Sequence, residues 1–270
     1  MCIRDRAWSL PVPPENGRFG NLTAAQPSTP SVPNFPDLVA SEQLDHRTVR
    51  EGELSIGLGH ARLRAALLST RTPTAIHGPP GSGKTTALAT IALASVTHQP
   101  DRPVWWLSGE PAPEGLHAEG IAVRTGQDVG EAIQQILSNM DAGLYASHGL
   151  TLLIDEVCDL AQEDRSVDHA LTTIIGALGK VDVHLVLSAD IRRFDPSALG
   201  SFRRFKGTGP TGIALDFDRD ANYPLFDGGR PPNAMNWLDS APGRAVMFRR
   251  GHDAEVVQVA HVKNRPYEEA

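Results

Sequence analysis

Cysteine is nearly absent: Cys2 and Cys158 are the two in 270 residues. A lone pair so far apart in sequence builds neither a disulfide framework nor a metal-ligand spacing, which suits a reducing cytoplasm. Long apolar runs are missing as well. No stretch approaches the roughly 18 uncharged residues that cross a bilayer, so a membrane span is not expected. Net positive charge is lacking too. The formal balance is −7, so contact with a polyanion would have to come from a local patch or an assembled ring. The ten histidines show neither H-E-x-x-H nor another paired spacing, which removes the common zinc arrangements.

Composition changes along the chain. The hexapeptide Met1 to Arg6 (MCIRDR) reads as a translated sequencing adapter, and the natural chain is then expected to extend upstream of it. Residues 7–36 carry Pro11, Pro13, Pro14, Pro27, Pro30 and Pro33 among few large apolar residues, the composition of an extended linker. A folded domain is expected over 37–262, with a tail at 263–270.

What the domain holds is a phosphate-binding loop. Gly78-Pro79-Pro80-Gly81-Ser82-Gly83-Lys84-Thr85 matches G-x-x-x-x-G-K-[ST] in full, and Thr86 follows it. Glycines let a backbone wrap closely around phosphates where side chains would collide with them. Lys84 can reach the β- and γ-phosphates, and the Thr85 hydroxyl can ligate Mg²⁺. The flanks agree: Thr74 to His77 reads as a short buried strand, and Thr85 to Val96 as a helix whose N-terminus faces the anion.

A second half of the site is expected 71 residues beyond Lys84. Leu150-Thr151-Leu152-Leu153-Ile154 suits a strand buried on both faces, and it ends in Asp155-Glu156 at the carboxyl edge of the sheet. Asp155 is expected to hold the metal through water, and Glu156 to orient and polarise the attacking water. A chain that only binds nucleotide has no need of Glu156, so ATP hydrolysis is expected.

The remaining elements alternate. Strands are read at 104–107, 121–123 and 183–187, and helices at 131–140 and 165–178. A short strand pair is read within 49–58, and Leu63 to Leu68 is expected to pack ahead of the loop strand. The alternation implies a doubly wound, mostly parallel α/β sheet flanked by helices. Residues 212–215, 244–248 and 255–260 look like short extra strands, with a Gly/Pro-rich loop at 227–232. Trp105-Trp106 reads as buried strand, not as a base-stacking platform.

In this order of elements the chain resembles the FtsK/SpoIIIE group of P-loop motors, which includes the ATPase modules of EccC-type secretion proteins. The resemblance rests on Ser55 to Gly59, the phosphate loop, Leu152 to Leu160, Val183 to Ala189, Pro242 to Val246 and Val257 to Ala260. It spans about residues 50–262. The closing segment is most like the last ATPase module of tandem-module proteins. The resemblance implies a RecA-like core, a hexameric ring or tandem modules of a longer chain, and ATP-driven movement of double-stranded DNA or a secreted protein. One departure stands out. Where the group often has Thr-Gln after the HLV strand, this chain has Ser188-Ala189-Asp190. Ser188 can still donate a hydrogen bond near the γ-phosphate; Asp190 cannot do what Gln does.

Arg192, Arg193, Arg203, Arg204 and Lys206 form the one dense basic run, offset by Asp195. Arg203 or Arg204 is a candidate transition-state cation supplied to a neighbouring subunit. The run could equally hold DNA phosphates or be a solvated face. The alternatives to a motor are an ATP-binding assembly module with little turnover, or a generic AAA+ or RecA-type ATPase.

Overall fold

Four central strands owe their place to sequence with no polar face. β3 (Thr74–His77), β4 (Val104–Ser108), β6 (Leu150–Ile154) and β7 (Val183–Ala189) are buried at every residue. Such strands need cover on both sides of the sheet, and parallel crossovers supply it. The structure, a computed structural model, describes residues 36, 39–40, 44, 49–60, 63–190, 200–218, 223, 225–226 and 241–261. All of them lie in one unit, Phe35–Ala270.

Among the described residues there is one ten-stranded sheet, in the order β2-β1-β10-β9-β8-β3-β7-β6-β4-β5. From β8 (Thr211–Leu215) to the edge strand β5 (Ala122–Thr125) every pairing is parallel. Beyond β8 the pairings turn antiparallel, through β9 (Arg244–Phe248), β10 (Glu255–Val259), β1 (Glu53–Gly59) and β2 (Arg64–Ser69). The sheet thus combines a crossover-built parallel half with a meander-like antiparallel half.

Strand alternation sorts the core into two layers. On β6, Leu152 and Ile154 join one cluster and Leu153 the other; on β4, Leu107 and Trp106 divide in the same way. The first layer is covered by α2 (Asp128–Asp141), α3 (Val157–Glu163), α4 (Arg165–Ala177) and α5 (Gly200–Gly207), through residues such as Ile136, Val157, Leu171 and Phe202. The second is covered by α1 (Lys84–His98), whose Leu88 and Ile91 pack on Ile76, Trp106 and Ile213. Trp105 and Trp106 are 8% and 0% exposed, so neither offers a face to a base.

Several expectations needed adjustment. The segment 49–58 does not hold a strand pair; β1 is one strand, and its hairpin partner is β2. The helix after the phosphate loop starts one residue earlier than expected and continues to His98. The third strand begins at Ala122 and reaches Thr125. Residues 212–215 are not peripheral. They belong to β8, which lies parallel and adjacent to the loop strand β3. α3 was not legible, because seven residues give too little periodicity to read. Asp164 ends it by leaving helical geometry and then caps α4, its side chain accepting from the Ser166 N–H at 2.8 Å. The expected loop at 227–232 lies outside the described residues.

One close approach fixes the β1–β10 seam. A Cβ on Gly57 would sit 2.1 Å from the Gln258 carbonyl oxygen, a backbone atom that cannot swing away. Gly57→Ala is therefore expected to cost about 3 kcal/mol, as overpacking does. The check is a lower urea midpoint at unchanged slope.

Candidate active site

The phosphate loop follows β3, and the acidic pair follows β6, both at the carboxyl edge of the parallel half. The two strands are not neighbours: β7 lies between them. Its last residues therefore stand between loop and acids, with His77 paired to Ala189 and Ile154 to Leu187.

Within the loop, Gly81 and Gly83 have φ of +79° and +94°, and a Cβ at either would meet nothing within 4 Å. Positive φ explains why glycine is used at both positions, and the open space above them is where an anion can approach the backbone. Gly83 also caps α1, so the helix dipole points its positive end at that space. Lys84 is 5% exposed. Its Nζ donates to the carbonyls of Gly78 and Pro79 at 3.0 and 3.1 Å and pairs with Glu156 Oε1 at 2.9 Å.

Asp155 and Glu156 are held in different ways. The Thr85 hydroxyl donates to Asp155 Oδ2 at 2.7 Å, and the Ser188 hydroxyl donates to Oδ1 of the same carboxylate. Ser188 Oγ in turn accepts the Glu156 backbone N–H at 2.9 Å. Glu156 itself sits at φ +47°, in the left-handed region, a conformation that costs a non-glycine residue roughly 1–2 kcal/mol. Its Oε2 accepts the Asp190 backbone N–H at 3.1 Å. Burial raises the Glu156 carboxyl above the ordinary glutamate range, and the pull of Lys84 in the opposite direction does not cancel it.

This arrangement fits a magnesium–triphosphate. Thr85 Oγ1 and Asp155 share one corner, with Lys84 and the open glycines beside it. Among the described residues no group of three or more His, Cys, Asp or Glu could hold a metal. A Mg²⁺ bound here would thus take Thr85, Asp155, water and the nucleotide's own phosphates as ligands.

A cavity of about 470 Å³ continues from the loop. Pro79 to Gly83 and Thr86 form one wall; Asp216, Pro242, Gly243, Arg244, Ala260 and His261 lie opposite. No motif announced this second wall, because it is assembled from residues far from the loop in sequence. Behind the loop, burial lowers His77 to about 4 and keeps it neutral at physiological pH. Its ring packs 6.1 Å from Tyr223 and 5.5 Å from Phe226, in a cluster that also includes Phe217 and Phe248. Burial pushes the Cys158 thiol up to about 12, which makes it an inert core residue.

The structure brings Gly78 to Thr86, Asp155, Glu156 and Ser188 together. It does not bring Arg203 or Arg204 to them. Both are exposed on α5, where Arg204 Nη1 donates to the Thr172 carbonyl of α4 at 3.3 Å. Arg192, Arg193 and Asp195 lie outside the described residues. Among the described residues no helix is long and apolar enough to cross a membrane.

No protein-family model matches the chain, and no curated protein matches it. Solved structures do. ATPases 2 and 3 of Thermomonospora curvata EccC, in complex with a signal sequence peptide, match with a TM-score of 0.68 at 16% identity, over 84% of this chain and 44% of that one. ATPases 2 and 3 of EssC from Geobacillus thermodenitrificans match with a TM-score of 0.68 at 15% identity, over 86% and 46%. The pCW3 conjugation coupling protein TcpA, with ATPγS, matches with a TM-score of 0.61 at 15% identity, over 84% and 71%. The chain spans 28% to 49% of the length of the EccC and EssC chains that it resembles. At these identities the shared feature is the fold, and the chain has the RecA-like P-loop fold of these ATPase modules.

Proposed function

We propose that this chain is an ATP-hydrolysing module of the FtsK/SpoIIIE type. The observation that carries the reading is Glu156, a carboxylate 2.9 Å from the loop lysine and anchored by the Asp190 N–H. Lys84 and the loop N–H groups bind the β- and γ-phosphates, and the open glycines admit them. Mg²⁺, when held by Thr85 and Asp155, offsets charge on the transferring phosphoryl group. Glu156 accepts a proton from the attacking water, and burial, which raises its pKa, makes it a stronger base than an exposed glutamate. Ser188 fixes both acids: one hydroxyl orients the Asp155 carboxylate and receives the Glu156 backbone.

The module works in a ring or in tandem with further modules, where Arg203 or Arg204, remote from its own loop, is available to a neighbour. The named EccC complex with a signal sequence peptide supports a protein cargo, and double-stranded DNA is the alternative that the FtsK/SpoIIIE resemblance implies. Likeness to a protein described as the cytoplasmic domain of EssC supports a cytoplasmic site of action. The experiment is Mg²⁺-dependent ATP hydrolysis by the whole chain, with and without double-stranded DNA. Turnover that rises with DNA supports the DNA branch, and turnover that DNA leaves unchanged speaks against it. Tight ATP binding with no turnover would sink the motor reading and leave a nucleotide-gated assembly module.

A further inference from the structure

The wall of the nucleotide cavity has a second side. Arg244, the first residue of β9, is 6% exposed and lines the cavity. Its Nε donates to Gln258 Oε1 of β10 at 3.1 Å, and its Nη2 donates to the Pro36 carbonyl at 3.1 Å. His261 also lines the cavity, and its backbone N–H donates to the Val39 carbonyl at 2.7 Å. Ala40 forms a parallel bridge with the same residue. Val39 and Leu44 are 2% and 5% exposed and pack with Ala260 and Leu58 in a small core of their own.

The same wall is tied to the phosphate loop. Thr90 of α1 donates its hydroxyl hydrogen toward the Ala260 carbonyl at 2.7 Å and lies 3.0 Å from the Thr86 carbonyl. Thr86 lines the cavity, on the helix that begins at Lys84. A path of contacts thus runs from Thr90, beside Thr86, through the Ala260 carbonyl to His261, whose N–H is bonded to Val39. A ligand that fills the cavity contacts Arg244 and His261 on one side while Pro36 and Val39 hold them on the other. Ordering a wall lowers the cost of the next group that must order against it, and such a linkage is reciprocal.

We infer that Pro36, Val39, Ala40 and Leu44 form a nucleotide-linked strap. Filling the cavity tightens their hold on Arg244 and His261, and emptying it loosens that hold. The inference rests on the nucleotide-binding reading above.

Hydrogen exchange on the full chain, with and without Mg²⁺ and ATPγS, tests this. Peptides covering Val39–Ala40 and Ala260–His261 are expected to exchange about fivefold or more slowly with the analogue, the lower end of typical coupling. By reciprocity, Val39→Asp should weaken binding of a fluorescent ATP analogue by a similar factor, and Val39→Ala should do the same without adding a charge. Protection confined to Gly78–Thr85, with unchanged affinity in both variants, overturns the strap and leaves the nucleotide site intact. No protection anywhere and no binding overturns the nucleotide reading, and the strap falls with it. The wild-type exchange measurement does not depend on any variant folding.

Discussion

Glu156→Gln is expected to slow steady-state ATP hydrolysis by about a hundredfold or more, the range associated with losing a positioned base, while nucleotide binding persists. The amide is nearly isosteric. Its oxygen can still accept the Asp190 N–H, so the turn at φ +47° and the adjoining Ser188 contact remain. What disappears is basicity and the charge facing Lys84. The pH dependence follows from the raised pKa. A carboxylate can act as a base only when ionised, and burial disfavours that form of Glu156. The acid limb of the wild-type rate profile should therefore lie above the pH at which an exposed glutamate titrates. A pH-resolved turnover assay checks both points. Wild-type turnover in the glutamine variant would remove Glu156 from the chemistry.

Lys84→Ala is expected to weaken ATP binding by about a hundredfold. A charge-assisted hydrogen bond contributes about 1.5–3 kcal/mol, and 1.4 kcal/mol is a factor of ten. The native ammonium is already placed. Two loop carbonyls and one carboxylate surround it, and it is 5% exposed, so little is spent on ordering it when phosphate arrives. Its removal also leaves Glu156 without its cation, which should raise the glutamate pKa further and move the acid limb upward. Lys84→Arg should not rescue, because a planar guanidinium does not replace a compact point charge in this buried position. Isothermal titration with ATPγS reads the affinity directly. Binding within threefold of wild type, a difference of about 0.65 kcal/mol at the quoted conversion, would mean that the loop does not hold the triphosphate through Lys84.

What could be read from sequence follows from how far apart the necessary residues lie. Gly78 to Thr85 were legible because phosphate chemistry demands a contiguous octapeptide. Asp155 and Glu156 were legible because five buried residues announce the strand before them. The Ser188 hydrogen bonds were not, since they depend on β7 lying between β3 and β6, a strand order that no local pattern encodes. The boundary of the antiparallel half was not legible for a similar reason: β8 matches β9 and β10 in length, yet it pairs in parallel with the loop strand. The strands at 241–261 were legible, but their place as a cavity wall beside the loop was not, because nothing in those residues carries a phosphate-binding signature.

The antiparallel half also governs the order in which the protein can assemble. Outside its own hairpin, β1 pairs only with β10, a partner about 200 residues later in the chain. During synthesis the parallel strands and their helices can dock as they emerge, while the β1–β2 hairpin keeps one edge unpaired until Glu255 to Val259 are made. Such non-local closure is slow, and an open edge during that wait is exposed to intermolecular pairing. A chain cut after Phe248 would retain every loop and acidic residue of the active site and still lack its sheet closure. Such a truncation should aggregate, although its motifs remain intact.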